Sequence, residues 1–128
     1  MNTKIVMMLS ALILGIAGII LTFLPAEISA LLGFENTKSI SLLFQILGAL
    51  YFGFGMLNWM AKSSLIGGIY NRPIAIANFA HFTIGGLALL KTVFSNPGLS
   101  WIFWGTTLVY LFFALIFGWI LFHHPAKN

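Results

Sequence analysis

The chain has 128 residues, of which 60% are hydrophobic and 6% are charged, and its formal net charge is +4. So little polar surface cannot cover a water-soluble globule, and the composition therefore predicts an integral membrane protein. Because the sequence has no cysteine, disulfides, thiolate catalysis and iron–sulfur ligation are excluded.

Four apolar stretches are each long enough to cross a bilayer as a helix, which takes roughly 20 residues. They predict an all-α integral membrane protein, a four-transmembrane-helix bundle that forms one transmembrane domain over residues 1–128. The connecting segments are short, so we expect no separate soluble domain. The predicted helices cover about residues 5–24, 40–61, 73–92 and 99–122.

The first span follows Lys4 and could be taken for a secretory signal. Its apolar core is longer than the roughly 7 to 15 residues of a signal peptide, so we expect it to be retained as a helix. Small residues recur along it at helical spacing and would allow a neighbouring helix to approach closely. These residues are Ala11, Gly15, Gly18 and Thr22.

A short helix is predicted directly after the first span. Pro25 suits its first turn, Glu27 lies near the positive end of its dipole, and Gly33 is a typical terminator. An amphipathic segment of this kind is expected to lie flat on the membrane surface. A lid over a cavity between the long helices is the alternative.

The second span combines a row of polar residues with a set of small ones. Gln45, Tyr51 and Asn58 are the polar residues that we expect to face the interior, because hydrocarbon solvates them poorly. The small residues, which favour close helix packing, are Gly48, Ala49 and Gly55.

The third span carries the most informative pattern in the chain. At helical spacing, one stripe contains Asn71, Ala75, Asn78, His81, Gly85, Ala88 and Thr92. Polar side chains inside hydrocarbon must face protein, a cavity or a ligand, so we expect this stripe to face inward. His81 lies about 13 Å inside the span at 1.5 Å per residue. An imidazole there can bind a metal or haem, contact a quinone carbonyl, or simply be hydrogen-bonded by its neighbours.

The sequence Ser95-Asn96-Pro97-Gly98 predicts a tight turn, which makes the third and fourth spans antiparallel neighbours. Thr107, Ala114 and Gly118 give the fourth span its own small face. His123 and His124, at its far end, lie too shallow to pair with His81 across a haem within one chain. We therefore predict no metal site.

Basic residues near the spans predict the orientation, because positive charge is retained on the cytoplasmic side during insertion. With four spans, both termini lie on one side. That side carries Lys4, Lys62, Arg72 and Lys127, whereas the other carries Lys38, Lys91, Glu27 and Glu35. We therefore predict a multi-pass protein of the bacterial inner membrane with both termini in the cytoplasm. The scattered basic residues favour anionic lipid headgroups over nucleic acid as partners.

Two segments resemble a known group of proteins. They are Gln45-Ile-Leu-Gly48-Ala-Leu-Tyr51-Phe-Gly53-Phe-Gly55 and, after Arg72, Gly85-Gly86-Leu-Ala-Leu-Leu-Lys91. Together with the Leu24-Pro25-Ala26 turn, they are similar to the small four-helix bacterial membrane proteins of the DoxX-like families. Because some members are associated with quinone-linked oxidoreductase complexes, the resemblance implies a membrane-embedded partner or a quinone contact. The chain departs from that group in lacking cysteine and in placing Asn78 and His81 in the third span.

No nucleophile-elbow, zinc-protease, phosphate-loop or dinucleotide-binding motif occurs in its required context, so we expect no intrinsic catalysis. A proton-coupled exporter needs an acid within a span, and both acids, Glu27 and Glu35, follow the first span instead.

The sequence therefore predicts a polar site between helices that binds a lipid or quinone-like amphipathic molecule or docks a membrane partner. Its predicted ligand-binding residues are Gln45, Tyr51, Asn58, Asn78 and His81. No resident cofactor is expected, and a quinone is left open as a ligand. The expected partners are membrane lipids, with a second copy or another membrane protein left open. The alternative functions are a small-molecule transporter and an accessory subunit of a membrane redox complex.

Overall fold

The computed structural model describes residues 1–123, which contain five α-helices, one short 3₁₀ turn and no strand. Four of these helices are long and apolar enough to cross a membrane. The α-helices are α1 (Thr3–Phe23), α2 (Pro25–Leu32), α3 (Lys38–Ala61), α4 (Arg72–Ser95) and α5 (Trp101–Phe122), and the 3₁₀ turn is Ile69–Asn71. The predicted all-α fold with four membrane-length helices is confirmed. The predictions for His124 and Lys127 lie outside the described residues.

The helices form two compact units, Met1–Ser63 and Ser64–Asn128, the second described as far as residue 123. In the first unit, α1 and α3 pack along each other and α2 contacts both. In the second unit, α4 packs along α5. The single transmembrane domain over residues 1–128 stays a prediction.

Local signals in the sequence set the helix ends. The Asn2 side chain accepts a hydrogen bond from the Lys4 amide at the start of α1, and the Thr37 hydroxyl accepts one from the Ile40 amide at the start of α3. Pro25 is the first residue of α2, and Gly33 ends that helix with a φ of 77°, a left-handed conformation that favours glycine. The short helix predicted after the first span is therefore present.

Glycines bring the backbones of α1 and α3 into direct contact. A Cβ atom on Gly18 would lie 2.6 Å from the backbone nitrogen of Phe52 and 2.7 Å from the carbonyl oxygen of Gly48. A Cβ on Gly55 would lie 2.9 Å from the backbone nitrogen of Gly15. Small residues thus mediate this packing, as the sequence predicts. Ala49, which we expected on the same face, is instead exposed.

Aromatic rings fill the contact between α4 and α5. The Phe82 ring, which is fully buried, stacks at 4.9 Å from the Phe113 ring and at 5.8 Å from the Phe117 ring. Gly118 leaves room for another ring, because a Cβ there would lie 3.0 Å from Cε2 of Phe79. Antiparallel packing of the two helices, as predicted from the turn between them, follows from these pairs.

The buried face of α4 differs from the predicted stripe. Ala75 and Asn78 are buried as expected, but Ala88 and Thr92 at the far end of the stripe are exposed. The full buried set is Ala75, Asn78, Phe82, Gly86 and Val93. Its mean spacing is near the 3.6 residues of a helical turn, whereas the predicted stripe averages nearer 3.5 and drifts off the contact face.

Candidate functional site

The structure divides the predicted ligand-binding residues between the two units. Gln45, Tyr51 and Asn58 lie on α3 in the first unit, and Asn78 and His81 lie on α4 in the second. Each unit therefore presents its own polar groups.

In the second unit, His81 pairs with Tyr110 of α5. The His81 Nε2 atom and the Tyr110 hydroxyl oxygen are 3.2 Å apart, within hydrogen-bond distance. His81 is half-buried and Tyr110 is 6% exposed. His81 lies nine residues after the start of α4, about 13 Å along the helix axis. This pair is the candidate site.

Gly85 leaves the space in which the Tyr110 ring can lie beside His81. A Cβ on Gly85 would lie 2.6 Å from Cε1 of Tyr110, so the tyrosine ring occupies the space that any larger side chain would need. Gly85 is one turn beyond His81 on α4, and the ring that covers the glycine thus extends its hydroxyl toward the imidazole. Gly85 thus serves the packing of α4 against α5.

A buried phenylalanine holds both members of the pair in place. The Phe82 ring centroid lies 5.0 Å from that of His81 and 5.3 Å from that of Tyr110, in both cases edge to face. Edge-to-face geometry is a favourable arrangement of aromatic rings. The imidazole and the phenol ring therefore both pack against one buried apolar ring.

The pair can both donate and accept hydrogen bonds. A neutral imidazole has one donor and one acceptor nitrogen, and a phenol hydroxyl does both. In surroundings of low dielectric constant, such bonds are stronger than in water. The chemistry of the pair therefore suits a carbonyl or hydroxyl group on an otherwise apolar molecule.

The Asn78 side chain bonds to the backbone of its own helix. It is fully buried, and its Nδ2 donates to the carbonyl oxygen of Ile74, 3.0 Å away and one turn earlier on α4. Tyr110, which was not among the predicted ligand-binding residues, lies within hydrogen-bond distance of His81. The spacing of Thr107, Tyr110 and Ala114 on one face of the fourth span is the signal that could have identified it.

The predicted polar residues of the first unit are spread along α3. Asn58 is fully buried, and its Nδ2 donates to the hydroxyl oxygen of Ser10 on α1 at 3.0 Å. Gln45 is exposed, and its Nε2 is 3.5 Å from the carbonyl oxygen of Thr22. Thirteen residues of helix, or about 20 Å, separate them, and the half-buried Tyr51 lies between. The structure therefore does not bring these three residues into one cluster.

The Asn58–Ser10 hydrogen bond links α1 to α3. Ser10 in turn donates to the carbonyl oxygen of Met7 at 3.0 Å. The Asn58 amide, the Ser10 hydroxyl and the Met7 carbonyl therefore form one chain of hydrogen bonds. Bonds of this kind between membrane helices contribute about 0.6 kcal/mol on average. We interpret Asn58 as a packing residue of the first unit.

Among residues 1–123, no three histidine, cysteine, aspartate or glutamate side chains come together in a way that could hold a metal ion. Comparisons with protein-family models, curated proteins and solved structures found no match to this chain. The resemblance to DoxX-like proteins therefore stays a prediction.

Proposed function

We propose that this chain is a non-catalytic membrane protein that binds a lipid or quinone-like amphipathic molecule at the His81–Tyr110 pair. The observation that supports the proposal is the 3.2 Å contact between these two side chains well inside a membrane-length helix. Ionisable residues in such positions are costly, and in general they mark a ligand site or a pathway. The polar end of the ligand contacts the pair, and its apolar part lies along the helices.

The burial of the two residues suits this role. Tyr110 and Phe82 are buried and support the pair from within, whereas the half-buried imidazole can still be reached from outside the α4–α5 contact. A carbonyl or hydroxyl group of a ligand can therefore approach His81 without displacing the aromatic core. The same surface is where a membrane partner would dock.

Native mass spectrometry of the gently extracted protein tests the proposal. We expect a bound amphipathic molecule on the wild-type chain, and we expect short-chain ubiquinone, added as a probe, to bind about tenfold more weakly to His81→Leu, because about 1.4 kcal/mol of hydrogen bonding is lost. Tyr110→Phe keeps the ring on Gly85 and removes only the hydroxyl, so a smaller loss is expected.

Asn58→Leu is the matched control, because it also replaces a polar residue with leucine but acts in the first unit. It should leave binding unchanged. Equal binding by the wild type and by both His81→Leu and Tyr110→Phe, with all variants folded, would refute the proposed site.

We also propose that the protein lies in the bacterial inner membrane with both termini in the cytoplasm. In the first unit, the antiparallel contacts of α1 with α3 place Lys4 and Lys62 at one end. The other end of this unit carries one basic residue, Lys38 at the start of α3, together with Glu27 and Glu35. This asymmetry is the one that membrane insertion follows.

The absence of native cysteine makes the orientation simple to measure. Single cysteines replacing Asn2 or Ser63 should be protected from an impermeant maleimide in intact cells, and a cysteine replacing Asn36 should be labelled. All three positions are exposed on the chain surface. The opposite labelling pattern would mean that the termini are outside.

A further inference from the structure

An open apolar groove of about 300 Å³ follows the surface of the α1–α3 pair. Gly15 and Gly55 lie where the two backbones meet and leave the groove without a side chain at that point. Ile16 and Met56 line it from the two helices and are 57% and 46% exposed. The groove is lined by residues of the first unit alone.

A cation lies at one end of this groove. Trp59 lines the groove, and the ammonium nitrogen of Lys62 is 3.5 Å from the centroid of its ring. Lys4 is at the same end of the helix pair. Because the only two carboxylates, Glu27 and Glu35, are at the opposite end, this end carries uncompensated positive charge within the first unit.

We propose that the groove binds one acyl chain of an anionic phospholipid whose phosphate accepts a hydrogen bond from Lys62. The ten residues from Lys62 to Phe52 span about 15 Å of helix, so a headgroup at Lys62 places its acyl chain along the groove. An anionic headgroup is favoured over a zwitterionic one. The ammonium group of a zwitterionic headgroup would bring another positive charge close to Lys62 and Lys4. Each basic residue near a membrane surface strengthens such binding roughly fivefold.

Two glycines provide a matched pair of variants. A Cβ on Gly15 would meet no atom within 4 Å, so Gly15→Leu should fill the groove without separating α1 from α3. A Cβ on Gly53 of α3 also meets nothing within 4 Å, but Gly53 does not line the groove. Gly53→Leu is therefore the control. Lys62→Gln removes the charge and keeps most of the side-chain length.

The experiment is a titration of delipidated protein with dioleoylphosphatidylglycerol or dioleoylphosphatidylcholine, followed by native mass spectrometry. The wild type should bind the phosphatidylglycerol at least about fivefold more tightly, which corresponds to one basic contact. Lys62→Gln should lose most of this preference, and Gly15→Leu should weaken the binding of both lipids. Gly53→Leu should behave as the wild type. His81→Leu should keep the preference for phosphatidylglycerol whatever its effect on total lipid binding, because that preference depends on Lys62, and this separates the groove from the proposed function.

Three results would overturn the proposal. They are unchanged lipid binding by Gly15→Leu, an unchanged preference in Lys62→Gln, and a wild-type dimer that Gly15→Leu converts to a monomer, which would assign the groove to a second copy of the chain. If Gly15→Leu does not fold, Met56→Trp fills the groove from α3 and replaces it in the same comparison.

Discussion

Gly18→Ala is expected to lower the free energy of unfolding by about 2 kcal/mol, the usual range for forcing an extra methyl group into a packed contact. The added Cβ would lie 2.6 Å from the backbone nitrogen of Phe52 and 2.7 Å from the carbonyl oxygen of Gly48. Both are backbone atoms and cannot rotate away, so α1 and α3 must separate. Unfolding by denaturing detergent in micelles, followed by circular dichroism, measures the loss.

Gly53→Ala is the control for this prediction. It makes the same chemical change on α3, but the added Cβ meets no atom within 4 Å, so the stability should stay near that of the wild type. Gly15→Ala should be tolerated for the same reason. If Gly18→Ala proves as stable as Gly53→Ala, the direct backbone contact between α1 and α3 does not exist in the membrane protein.

Phe82→Ala is expected to cost about 3 to 5 kcal/mol, the range seen when a buried aromatic ring is deleted and a cavity remains. The Phe82 ring is fully buried and contacts the rings of Phe113, Phe117 and Tyr110. Its removal should also loosen His81, because the two ring centroids are 5.0 Å apart. The same unfolding measurement gives the energy, and ligand binding to the variant reports on the pair.

Phe94→Ala is the corresponding control on α4. Phe94 is 69% exposed and makes an edge contact with Trp104, so its deletion should cost far less than that of Phe82. Equal losses from the two substitutions would show that the aromatic core of the second unit does not hold α4 to α5.

Several parts of this fold could be predicted from the residues alone. The Pro25 and Gly33 positions predicted the short helix after the first span, and the small residues Gly18, Gly48 and Gly55 predicted faces at which helices pack closely, although not which helices pair. These signals are local, because helix ends depend on nearby residues and close approach depends on the absence of a side chain. They could therefore be identified without knowing the rest of the structure.

The partners of the polar side chains were harder to predict. His81 stood out as an imidazole inside an apolar span, but its contact with Tyr110 depends on how α5 is rotated about its axis. Gln45 was expected inside and is exposed, and the stripe on α4 drifts away from the contact face before Thr92. A change of one residue rotates a helical face by about 100°, so small errors in the assumed period change which residues meet.

The sequence by itself determined that this chain has four apolar helices of membrane length, because the bilayer acts as a solvent that requires long apolar runs and internally bonded backbone. Only the tertiary structure decided which side of each helix packs and which side faces outward. The physical reason is that lipid tails are as apolar as leucine or phenylalanine. The hydrophobicity of a residue therefore does not indicate whether it contacts lipid or protein. The pairing of His81 with Tyr110 and the groove beside Gly15 both follow from that choice of packing faces.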